Sequence, residues 1–148
     1  MEKRKILLID DEEDFCQIVK MNLELTGKFE IATQSDPAKA LETAREFNPD
    51  LMILDFRMPQ MHGSEVAQQF QQNPDTANIP IIFLTGMATR DELQKYGCDD
   101  LCDFVLTKPA TDEEIINAIE KNLGQKTDLN FFSRLFNSNK EIKWRPSK

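Results

Sequence analysis

Five short apolar runs separated by stretches of helical periodicity constrain this chain more than any other feature. Lys5–Asp10 (KILLID), Phe29–Thr33, Leu51–Asp55 (LMILD), Pro80–Thr85 (PIIFLT) and Phe104–Thr107 read as strands. Phe15, Ile18, Val19 and Leu23 form one helical stripe after the first run, closed by Gly27. Asp36-Pro37 supplies an N-cap and a Pro at the first helical position, opening a helix to about Phe47 that Asn48-Pro49 stops. Gly63 precedes a third helix through about Asn73. Thr89 and Glu92 have capping-box spacing and open a fourth; Thr111 and Glu114 repeat it for a fifth, with Ile115, Ile119 and Leu123 on one face. Strands alternating with helices imply right-handed βαβ units, a parallel sheet and an α/β fold.

The 148 residues suit one domain, and 40% apolar residues suffice for its core. No apolar run approaches the roughly 18 residues of a membrane span. The first run is too short and too soon acidic for a signal peptide, so a cytoplasmic protein without membrane attachment is expected. Cys16, Cys98 and Cys102 cannot all pair, and reduced thiols are expected. Cys98 and Cys102 read as small half-buried residues; without neighbouring His or further Cys they make no zinc pattern. The single histidine, His62, reads as a loop residue near the mouth of the pocket.

Charge is unevenly spread. Residues 125–148 carry 6 basic and 2 acidic side chains, net +4, which leaves −12 on residues 1–124 of a chain whose net charge is −8. An acidic body repels nucleic-acid phosphates, so no direct nucleic-acid binding is expected. The division is a domain over 1–124 and a basic, partly helical tail or linker over 125–148. In that tail Leu129, Phe132 and Phe136 share one helical face.

Ligands of such sheets bind beyond the carboxyl ends of the strands. The first strand ends in Asp10-Asp11, the third in Asp55, the fourth in Thr85 and the fifth in Lys108-Pro109. Each has an ordinary role open to it: Asp10 and Asp11 as helix caps, Thr85 as a strand end, Lys108 as a solvated charge. Together they place three carboxylates, a hydroxyl and an ammonium on one rim. Clustered carboxylates disfavour one another's ionised forms, and a hard cation with oxygen ligands relieves this. A carboxylate is also a competent nucleophile for phosphoryl transfer, and a lysine pairs with a phosphoryl group as a point charge.

The segments LLIDDE (7–12), LMILDFRMPQMHG (51–63), FLTG (83–86) and TKP (107–109), in this order and each at a strand end, resemble the signature set of two-component response-regulator receiver domains. The resemblance covers about residues 4–124. It implies a flavodoxin-like, doubly wound five-stranded parallel sheet in the order 2-1-3-4-5 with five helices. It implies a phosphoryl group accepted on Asp55 from a histidine kinase or histidine phosphotransfer protein, with slow self-catalysed phosphorylation and dephosphorylation rather than enzyme turnover. Asp11 would bind Mg²⁺ (or Mn²⁺) directly and Asp10 through water, with Asp55 and the backbone carbonyl of Arg57 completing the shell. Thr85 would hydrogen-bond the phosphoryl group, Lys108 would pair with it, and Pro109 would follow a cis bond. Arg57 and Met87 occupy positions that tune acyl-phosphate lifetime in the family. The surface of the fourth helix, fifth strand and fifth helix would meet a downstream protein or a second copy.

One position departs from the pattern. The family carries Tyr or Phe three residues before the lysine; here that residue is Val105, with Phe104 one place earlier. Either a bulge gives Phe104 the role or the aromatic part of the switch is absent. Among other classes, an aspartyl phosphatase would need a D-x-D pattern after the first strand, and a flavin carrier a Ser/Thr/Gly-rich phosphate loop there. Neither is present. The remaining alternative is a receiver-like protein-binding module that phosphorylation no longer regulates.

Overall fold

The computed structural model describes residues 2–56, 58, 61, 63–86 and 104–124, for Ser64 and Thr85 the backbone alone. Five strands, β1 (Arg4–Ile9), β2 (Phe29–Gln34), β3 (Leu51–Asp55), β4 (Ile81–Thr85) and β5 (Val105–Thr107), pair in parallel in the order β2-β1-β3-β4-β5. This is the flavodoxin-like, doubly wound sheet expected. The described helices are α1 (Glu13–Leu25), α2 (Ala40–Phe47), α3 (Gly63–Gln72) and a last helix, Asp112–Asn122. The helix expected from Thr89 lies outside the described residues, as does the tail, 125–148. Among the described residues no helix is long and apolar enough to cross a membrane.

Period-two alternation along the strands builds a separate core on each face. Leu7, Ile9, Met52, Leu54, Ile81 and Phe83 point to one side and pack with Ala40 and Ala44 of α2 and Val66, Ala67 and Phe70 of α3. Ile6, Leu8, Leu51, Ile53, Ile82 and Leu84 point to the other and pack with α1 and with Ile115, Ala118 and Ile119 of the last helix. Because both faces are covered, the three central strands β1, β3 and β4 each carry four consecutive apolar residues, Ile6–Ile9, Leu51–Leu54 and Ile81–Leu84.

The punctuation works by local chemistry. Gly27 (φ 77°) ends α1 in the left-handed region, its N–H donating to the Glu24 carbonyl at 3.0 Å. Asn48 (φ 55°) does the same for α2, donating to Ala44 at 2.8 Å. Thr111 and Glu114 form the full capping box of the last helix: the Thr111 hydroxyl accepts from the Glu114 N–H at 3.1 Å, and the Glu114 carboxylate from the Thr111 N–H at 3.2 Å.

Two expectations are corrected. Asp36 and Pro37 open a 3-10 turn, Pro37–Lys39, and the α-helix starts only at Ala40; such turns commonly begin helices. The buried stripe of α1 is Cys16, Val19 and Leu23 with Phe15 at its edge, whereas Ile18 is 54% exposed. Ile18 follows Cys16 by two positions and precedes Val19 by one, which turns it about 100° away from the Val19 direction.

Candidate functional site

β1 and β3 are neighbours, so their carboxyl ends bring acids from distant parts of the chain together. Asp10 directly follows β1 and still donates its N–H to the Gln34 carbonyl at 3.1 Å. Its side chain is fully buried. One oxygen accepts the Glu12 N–H at 2.9 Å and the other the Lys108 ammonium at 2.7 Å. Asp55 closes β3 and is 3% exposed. Asp10, half-buried Asp11 and Asp55 each place a carboxylate oxygen within 4.8 Å of the others.

Lys108 follows β5. Its ammonium lies 2.7 Å from Asp10, 3.2 Å from Glu12 and 3.6 Å from Asp55, and 4.7 Å from the centre of the Phe15 ring. The Lys108–Pro109 bond is cis, as expected. Burial pulls the Lys108 ammonium toward neutrality, but the hydrogen bond and charge of Asp10, with Asp55 and Glu12, outweigh it and carry its pKa upward. Burial pushes the Asp10 carboxyl above the ordinary carboxylate range, against the lowering by Lys108 and the Glu12 N–H.

Helix capping does not account for the acid pair. The N-cap residue of α1 is Glu12, and its side chain forms no cap hydrogen bond; it reaches Lys108 instead. For Thr85 the backbone is described: it ends β4 opposite Thr107. Arg57, His62, Met87, Cys98 and Cys102 lie outside the described residues. β5 pairs with β4 without an inserted residue, Phe83 to Val105 through Thr85 to Thr107, so no bulge occurs there. Phe104 precedes the strand, and both Phe104 and Val105 pack half-buried on the core that holds Phe83.

The sequence reading missed three contributors. Glu12 is a second acid on Lys108, and Phe15 lies beneath that ammonium; neither pairing has a signature in local spacing. Gly63, read only as preceding a helix, is the first residue of α3 and packs against the backbone of the strand end. A Cβ there would lie 2.7 Å from the Asp55 carbonyl oxygen and 2.8 Å from the Phe56 Cα, and the Gly63 N–H donates to the Phe56 carbonyl at 3.0 Å.

The oxygen-only donor set of Asp10, Asp11 and Asp55 fits a hard divalent cation that retains several waters. The rim thus combines a buried carboxylate at a strand end, a cluster suited to a cation, and a lysine facing both.

The family model described as the response regulator receiver domain matches residues 6–120. Among curated proteins, the chain is 34% identical to the DNA-binding dual master transcriptional regulator RpaA of a Synechocystis strain, over 84% of this chain and 50% of that protein. It is 35% identical to the alkaline phosphatase synthesis transcriptional regulatory protein PhoP of Bacillus subtilis, over 85% and 50%. The chain therefore spans about half the length of these relatives. Among solved structures, chemotaxis protein CheY4 of Vibrio cholerae superposes with a TM-score of 0.69 at 25% identity, covering 82% of this chain and 100% of that one. This chain belongs to the response regulator receiver domain family.

Proposed function

We propose that this receiver domain is a phosphorylation switch whose acceptor is Asp55. The observation that carries the reading is the Asp55 carboxylate at the end of β3, clustered with Asp10 and Asp11 and 3.6 Å from the Lys108 ammonium. The donor is a phosphohistidine on a histidine kinase or histidine phosphotransfer protein. An Asp55 carboxylate oxygen attacks phosphorus, the phosphorus–nitrogen bond breaks, and the imidazole leaves with the bonding pair. The product is an acyl phosphate, which water later hydrolyses to inorganic phosphate and the free carboxylate. Small phosphodonors serve slowly in the same way.

Asp10, Asp11, Asp55 and the Arg57 carbonyl would hold Mg²⁺ (or Mn²⁺). When bound, the ion supplies positive charge that offsets the phosphoryl oxygens. Lys108 neutralises the acceptor and its product from the opposite side. The Thr85 hydroxyl binds the phosphoryl group, and its movement biases the surface formed by the helix expected from Thr89, β5 and the last helix. That surface meets a downstream protein or a second copy, in the cytoplasm.

Intact mass after incubation with acetyl phosphate and Mg²⁺ tests the reading. One added phosphoryl group is expected, and Asp55→Asn abolishes it. A full gain in the variant would falsify the assignment. No gain in the parent, even with a phosphorylated histidine donor, would favour a binding module that phosphorylation does not regulate.

A further inference from the structure

α1 carries two apolar faces, and the core uses only one. Ile18 (54% exposed), Met21 (58%) and Leu25 (80%) recur at a 3–4 spacing and form a second stripe. None of the three belongs to either core cluster. Met21 and Leu25 share an open surface of α1 with Gln17, Lys20 and Glu24.

The last helix leads the chain to this stripe. Asn22 of α1 donates to Asp112 at 3.0 Å, and Lys28, just beyond α1, pairs with Glu120 at 3.6 Å. The two helices therefore run side by side in the same direction, and the last helix ends past the C-terminal end of α1, near Lys28. Gly124 (φ 79°) then turns the chain out of the helix, and a Cβ there would meet nothing within 4 Å. The residues that follow contain Leu129, Phe132 and Phe136, with the same 3–4 spacing as Ile18, Met21 and Leu25. Leu129 lies five positions beyond Gly124, a reach of up to about 17 Å. Each set of three spans about 10 Å as a helix.

We propose that residues 129–136 of this chain form a helix that lies antiparallel on α1 and covers Ile18, Met21 and Leu25. Charge favours this partner, because residues 125–148 carry +4 and the body −12, with Glu13, Asp14 and Glu24 on α1 itself.

Methyl NMR of the full chain labelled at methionine tests the contact, with the Met21 signal assigned through Met21→Leu. Removing the tail rings in Phe132→Ala/Phe136→Ala should shift the Met21 methyl through the lost ring current, equally at high and tenfold lower protein concentration. The buried Met52 methyl should stay in place, showing that the fold is intact. An unmoved Met21 methyl would overturn the proposal and leave the stripe to an external partner. A shift that disappears on dilution, with a doubled mass by light scattering in the concentrated sample, would also overturn it, in favour of a second copy.

Discussion

The Lys108 ammonium donates to the Asp10 carboxylate at 2.7 Å across 98 positions of sequence, and this pair sets the electrostatics of the rim. Asp10 is fully buried, so Lys108→Met leaves a buried charge without its cation and costs about 3 kcal/mol at neutral pH without divalent ions. The pH dependence has a definite sign. Asp10 already titrates above its ordinary value of 3.8, and losing Lys108 raises it further. A raised carboxyl contributes stability below the unfolded value and loses it as pH rises through the folded value. The deficit of Lys108→Met should therefore be smaller at pH 4.5 than at pH 7.5. Equal deficits in melting temperature at the two pH values, measured in chelator, would contradict the account.

Mg²⁺ should raise the melting temperature, because a ligand that binds only the folded state stabilises it by about 2.7 kcal/mol at 100 times its Kd. Asp11 is the half-buried member of the acid cluster, so Asp11→Ala removes one proposed ligand without opening the core. Its Mg²⁺ response should disappear, and chelator should return the parent to its metal-free melting point. A parent-like Mg²⁺ shift in Asp11→Ala would rule out this carboxylate as a ligand.

Gly63 tests whether the backbone of Asp55 needs its close neighbour. Gly63→Ala forces apart contacts of 2.7 and 2.8 Å to the Asp55 and Phe56 backbone, which costs about 1–3 kcal/mol. The displaced strand end should also slow phosphoryl uptake from a small donor at temperatures where the variant is fully folded. Parent-like stability and uptake together would show that the loop adjusts freely.

Cys16 should be inert in the folded protein. Its thiol is buried, donates to the Asp10 carbonyl at 3.3 Å, and is pushed from 9.0 up to about 12, first by burial and then by the charge of Asp10. Iodoacetamide at pH 8 followed by peptide mapping should label Cys16 only after denaturation. The raised value also means that this thiol's contribution to stability is complete below pH 9 and is lost as pH rises toward 12. Rapid labelling of native Cys16 would show that α1 opens readily.

Local sequence determined the elements. Unbroken apolar runs specify strands covered on both faces, and Asp36, Asn48, Thr111 and Gly27 act through neighbours a few residues away, so their signals survive in one dimension. The strand-end positions of Asp10, Asp55 and Lys108 follow from those same boundaries, and the cluster was legible for that reason. Tertiary structure alone decided what touches what within the rim. Lys108 prefers Asp10 to Asp55 and also engages Glu12, because the relative depths of two strand ends and a helix start set those distances. The face of α1 that is buried was likewise undetermined locally, since Cys16, Val19 and Leu23 form one apolar stripe and Ile18, Met21 and Leu25 form another at the same spacing. The choice was made by the sheet, which accepts Cys16, Val19 and Leu23 and leaves Ile18, Met21 and Leu25 facing outward.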